Sequence, residues 1–172
     1  MQKDVGKFGI SDKRGRKKTS MDPFQPHEGF SEPSLCLNCM SAYHRNRWSR
    51  DSETYRELQT MPNVHHIVCP ACQKIAAGYP EGIVTLRGSY LWKHEREIRQ
   101  LLMNEEEKVA ERNPLERIIR MAREDDGLVI ETTEEKLAAH LGRVVHRAHC
   151  GELKISWAGN PDMCRVNWER AN

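Results

Sequence analysis

Two Cys-x-x-Cys pairs, Cys36 with Cys39 and Cys69 with Cys72, constrain this chain more than any other feature. A two-residue spacer lets both thiolates of a pair point into one turn, and two such turns brought together close a tetrahedral four-sulfur shell around a zinc ion. That shell leaves no position for water or substrate, so the metal it implies is structural rather than catalytic. The pairs are far apart: 29 residues separate Cys39 from Cys69, where a compact ribbon uses roughly 15 to 20. The insert therefore has to fold as a finger of its own. Met40 and Gln73 follow the two pairs, at positions where glycine often relaxes the backbone. His44, His65 and His66 lie near enough to replace a thiolate, which four cysteines make unnecessary.

The cysteines admit two other chemistries. A redox centre would place one Cys-x-x-Cys at a helix N-terminus after a strand, and two pairs are one more than it needs. A disulfide framework would need export, and the opening residues Met-Gln-Lys-Asp-Val-Gly-Lys hold no apolar run of the signal-peptide kind. The expectation is a cytoplasmic protein with reduced thiols. No stretch approaches the length that spans a bilayer.

Charge is unevenly placed. Residues 1–20 carry Lys3, Lys7, Lys13, Arg14, Arg16, Lys17 and Lys18 against only Asp4 and Asp12. Without apolar clusters such a tail cannot offset its backbone entropy, so residues 1–34 are expected to be a disordered basic tail and a Pro-rich linker. Lys13, Arg14, Arg16, Lys17 and Lys18 suit a phosphate backbone; a nuclear address or a merely solubilising tail fits the same residues.

The remaining pattern gives an α+β chain: a four-cysteine zinc-binding module over 35–88, a helical connector over 89–124, and a small β-α-β-β unit over 125–172. Within the module, 51–58 suits a short helix capped by Asp51 or Ser52, and Ile83-Val84-Thr85-Leu86 a strand ending at Gly88. Leu91, Ile98, Leu102 and Val109 recur near helical spacing, predicting a long helix from Tyr90 to about Arg112. Asn113-Pro114 breaks it, and a second helix is expected from Pro114 to about Arg123. In the last third, Thr132-Thr133-Glu134-Glu135 reads as a capping box. It opens a helix whose apolar stripe is Leu137, Leu141, Val144, Val145 and Ala148, with Arg143, His146 and Arg147 on or near the opposite side. Leu153, Ile155 and Trp157, then Cys164, Val166 and Trp168, alternate with polar residues as a hairpin.

Tyr43, Arg45, Arg47, Trp48 and Arg50 interleave arginines with aromatics, the composition that grips phosphates and stacks on unpaired bases. The competing structural reading packs Tyr43 and Trp48 against the metal site, with the arginines offsetting a tetrathiolate's charge. A second metal site from His146, His149, Cys150 and Cys164 is disfavoured because Cys164 shares its face with Val166 and Trp168. The acidic runs, Glu105 to Glu107 and Glu124 to Asp126, read as solvated faces. No catalytic constellation stands out, so neither an enzyme nor a small-molecule substrate is expected.

Cys36-Leu-Asn-Cys39 with Tyr43-His44 and Arg47-Trp48, then Cys69-Pro-Ala-Cys72, then Gly78-Tyr79-Pro80-Glu81-Gly82 through Gly88, resemble a small, largely uncharacterised bacterial zinc-finger family. That family is itself similar to the nonsense-mediated-decay protein of archaea and eukaryotes, the large-subunit export adaptor. The resemblance covers roughly residues 36–169 and implies a zinc-anchored protein associated with ribosomal RNA or ribosomal subunits, with Cys36, Cys39, Cys69 and Cys72 as ligands and no catalytic residue. The adaptor's second set of cysteine pairs and later domains are missing here. The alternative function is a zinc-finger module that binds or regulates another protein without nucleic acid.

Overall fold

The two cysteine pairs lie at one end of a small four-stranded sheet, and a separate five-stranded sheet carries the main core. A computed structural model of the chain describes residues 22–26, 28–159 and 163–172; Lys13, Arg14, Arg16, Lys17 and Lys18 lie outside the described residues. The small sheet has the order β3-β2-β1-β4, from β1 (Ser34–Cys36), β2 (Ala42–His44), β3 (Arg47–Ser49) and β4 (His65–Ile67). Helix α1 (Ser52–Gln59) joins β3 to β4. Asp51 starts it, its carboxylate accepting from the backbone NH of Glu53 and, at 2.9 Å, of Thr54. The 29-residue insert is thus two short strands, a helix and the parallel strand β4, closed by a small cluster of Leu35, Ala42 and Leu58 with Tyr55 and Val64.

Helix α2 (Pro70–Ala77) leads through a left-handed Gly78 to β5 (Gly82–Arg87). Strand β5, grouped by sequence with the zinc module, is the central strand of the large sheet, whose order is β6-β7-β5-β9-β8. The other strands are β6 (Ile118–Glu124), β7 (Gly127–Thr132), β8 (Glu152–Ala158) and β9 (Met163–Glu169); β5 runs antiparallel to β7 and parallel to β9. Helices α3 (Ser89–Arg112) and α4 (Glu135–His149) pack on one face. There Val84, Leu86, Leu128, Ile130, Cys164, Val166 and Trp168 meet Leu91, Ile98, Leu102, Leu137, Leu141 and Val145. Each buried aliphatic side chain contributes about 1.5–3 kcal/mol, which far outweighs the few tenths separating helix propensities. Gly88, which begins α3 at φ +101, has Arg170 O where a Cβ would stand, at 2.0 Å, so only glycine fits where α3 leaves the sheet.

Three expectations are corrected. Residues 118–124 form the edge strand β6, not a second helix. Arg, Met, Ala and Glu favour a helix there locally, but the free edge of β7 offers a backbone ladder, and Ile118 and Met121 pack against the core. The run Glu124 to Asp126 is exposed at the end of β6 and in the β6–β7 turn, with Asp125 at φ +48, a solvated stretch as its composition suggests. The capping box does not form. The Thr132 hydroxyl donates to Glu134 O at 2.8 Å and no side chain caps α4, because Thr132 and Thr133 are both buried and held by neighbouring strands and loops. Ala148 is exposed, so the apolar stripe of α4 ends at Val145.

Candidate metal centre

Each cysteine pair is presented by a different local device. Cys36 closes β1, and the chain turns tightly through Met40, which adopts φ +57, the left-handed conformation glycine would take without strain. Cys36 NH donates to Ser41 O and Leu37 NH to Ile67 O, both at 2.8 Å, so this turn is locked to its own hairpin and to β4. The second pair is not a matching turn. Cys69 is the N-cap of α2, accepting from Cys72 NH at 3.5 Å, with Pro70 in the first turn, where its missing NH costs nothing. A Cys-x-x-Cys at a helix start after a strand is the arrangement the redox reading required. Here its sulfurs face the other pair.

All four sulfurs lie within 4.8 Å of one another. Across the pairs, Cys36 Sγ is 3.9 Å from Cys72 Sγ, and Cys39 Sγ is 3.7 Å from Cys69 Sγ. A disulfide would need about 2.05 Å, whereas a tetrahedron with bonds of about 2.3 Å has edges of about 3.8 Å. The sulfurs are therefore placed as corners of a four-thiolate shell that can hold a metal ion. Neighbouring donors suit charged sulfur: Cys69 NH points at Cys36 Sγ at 3.3 Å, Ser41 Oγ lies 3.1 Å from Cys39 Sγ, and the N-terminus of α2 stands beneath the second pair. As bare thiols the four compete. Hydrogen bonds from Cys39 and then Cys69 pull Cys36 down, those with Cys36 and Cys39 push Cys69 up, and burial pushes Cys72 up to about 12.

Packing closes the site. Trp48 and Ala71 are buried against Cys36 and Cys69, with Phe30, Tyr43, Ile67 and Leu115 around them. Phe30, Tyr43 and Trp48 form an edge-packed trio with ring centroids 5.1–5.4 Å apart. The arginine-aromatic segment lies against this wall. Trp48 is only 7 % exposed and Tyr43 half-buried, and both rings form part of the wall of the cysteine site. Arg45, Arg47 and Arg50 are exposed. The hairpin turn between β2 and β3 has Arg45 and Asn46 at positive φ, and the Glu32 carboxylate accepts both their NH groups, at 3.1 and 2.6 Å. His65 and His66 are exposed on β4, and His44 sits 3.9 Å from Glu32; the sulfur cluster includes no histidine. Cys150 is exposed and Cys164 buried in the other core, and among the described residues they join no metal-holding group.

A second cluster escaped the sequence reading. Lys74, on α2 two residues beyond Cys72, is fully buried; its Nζ reaches Asp22 and Glu81 at 2.9 Å, and Glu134 and Thr133 O at 3.2 Å. The ammonium occupies the space among three carboxylates and joins the metal-site helix to the starts of β5 and α4. Burial opposes its charge, yet Glu134 and the bonds to Asp22 and Glu81 hold its pKa above the usual lysine value. The four residues are scattered along the chain, so no spacing signalled them.

Burial pushes the Glu134 carboxyl up to about 7; the Lys74 ammonium pulls the other way, and the charge of Glu81 adds to the rise. Between the ordinary value of 4.5 and that level, the folded state binds more protons than the unfolded chain, so stability falls as pH rises through this window. The expected loss is on the order of 3 kcal/mol across it. Urea midpoints at about pH 5.5 and 7.5 should differ for the wild type and converge in Glu134→Gln. A slope that survives the substitution would assign the effect elsewhere.

Comparison of the chain with protein-family models, curated proteins and solved structures gave no match.

Proposed function

We propose that this is a non-catalytic zinc protein that associates with ribosomal RNA or a ribosomal subunit. The four converging sulfurs carry the reading. Soft thiolates at tetrahedral spacing favour Zn²⁺ or a single iron, and a filled shell with an aromatic wall supplies folding energy rather than a vacant coordination position. Cys36, Cys39, Cys69 and Cys72 would hold the ion. Nucleic-acid association draws on the exposed Arg45, Arg47 and Arg50, on the basic residues before Asp22, and on the resemblance of the cysteine and Gly78–Gly88 segments to a ribosome-linked family. None of the described helices is long and apolar enough to cross a membrane; a cytoplasmic location belongs to the same proposal.

The test is sedimentation of tagged protein through a sucrose gradient at low salt with native ribosomes present, and elemental analysis of the same fractions. Co-sedimentation with one zinc per chain is the expected result. Protein that stays at the top defeats the ribosome reading and favours a protein-binding finger. Metal-free protein with four titratable thiols defeats the metal.

A further inference from the structure

We infer that the solvent face of α4 is a nucleic-acid contact surface, on which Lys136, Arg143 and Arg147 hold a phosphodiester backbone. The inference rests on the RNA reading above and places the contact away from the cysteine site.

At 100° per residue, positions 136, 143 and 147 fall within about 40° of one another, and at 1.5 Å per residue they span about 16 Å of helix. All three are exposed, and none makes an ion pair with a described residue. Six other cations in this half of the chain are paired with neighbouring carboxylates: Arg87 with Asp126, Arg99 and Arg123 with Glu95, Lys108 with Glu105, Arg117 with Glu106, and Arg120 with Glu124 and Glu131. Helix α4 carries one acid, Glu135, in its first turn. His140 continues the row, its Nε2 3.1 Å from Glu105, and His146 is exposed nearby. The result is a straight row of uncompensated charge on a helix whose other side is locked into the core by Leu137, Leu141 and Val145.

Two observations favour a polyanion over an acidic protein. Protein interfaces centre on a large apolar or aromatic anchor, and none of the exposed large hydrophobics lies on α4. In the segment whose composition suits bases, Trp48 is buried and Tyr43 half-buried against the cysteine site, which leaves exposed charge as the main means of recognition. Charge alone gives sequence-independent, salt-sensitive binding.

The experiment uses the full chain and fluorescein-labelled poly(U) as probe, with anisotropy titrations from about 50 to 200 mM salt. Each phosphate contact on a single strand contributes about 0.7 to the slope of log K against log salt. Arg143→Gln with Arg147→Gln should therefore lower the slope by about 1.4, so that the fourfold salt rise weakens the variant about sevenfold less than the wild type. Lys154→Gln with Arg165→Gln removes two exposed charges from the opposite face of the large sheet and should leave the slope unchanged; the Arg143→Lys, Arg147→Lys pair should restore it. If wild-type protein ignores poly(U), the RNA reading itself fails. Binding that persists with an unaltered slope in the glutamine pair overturns only the α4 surface, as does an equal loss in the Lys154/Arg165 pair. Polyglutamate that binds as well as poly(U), with the same slope, overturns the nucleic acid in favour of an acidic protein.

Discussion

Serine in place of Cys36, or chelation of the wild-type protein, is expected to unfold the region from about residue 30 to 68 while the five-stranded sheet and its helices stay folded. The two apolar clusters beside β1–β4 contain few large side chains, with Leu35, Trp48 and Leu58 the bulkiest that are buried. Such clusters contribute only a few kcal/mol, whereas filling a structural four-thiolate site contributes on the order of 10 kcal/mol. Metal binding and folding of this half are then one process. Trypsin should cut at Arg45, Arg47, Arg50 and Arg56, all exposed, once β2, β3 and α1 loosen. Trp168, buried in the other core, should keep its folded-state fluorescence. Unchanged protease resistance after both treatments would remove the metal from the folding of this half.

Lys74→Met should cost about 3–5 kcal/mol near pH 7.5, the range for removing one partner of a buried ion pair. Methionine restores the stem's volume but leaves Asp22, Glu81 and Glu134 facing one another around an apolar side chain. Part of the loss should return near pH 5.5, where the Glu134 carboxyl, already raised by burial, takes up its proton. Adding Glu134→Gln removes one of the opposed charges and should recover stability in a non-additive way. Urea titrations of the single and double variants give the comparison. A Lys74→Met protein within about 0.5 kcal/mol of wild type would show that the ammonium does not join the two halves.

Where sequence and structure parted, neighbouring strands and buried rings made the difference. Asp51 was recognisable as a cap because its carboxylate bonds only to the next three residues. The β6 segment reads locally as helix because Arg120, Met121, Ala122 and Glu124 favour it, while the edge of β7 that captures them follows later in the chain. The Asp126-Gly127 dipeptide was an available hairpin signal. Thr132 had the right spacing for a cap, but its hydroxyl faces Glu134 O inside the core. Tyr43 and Trp48 looked suited to stacking until Phe30, from the linker, completed their cluster.

The sequence by itself determined the features whose cause is local. These are the two Cys-x-x-Cys pairs, the long helix, the α4 stripe through Val145, and the alternation of β8 and β9. Each follows from spacing within a few residues, so the periodicity carries it. Only the tertiary structure decided that the second cysteine pair starts a helix, that β5 belongs at the centre of the large sheet, that aromatic rings wall the sulfur site, and that Lys74 gathers carboxylates from three distant segments. Those outcomes depend on packing and charge between residues tens of positions apart, and no local pattern in a single chain encodes such distances.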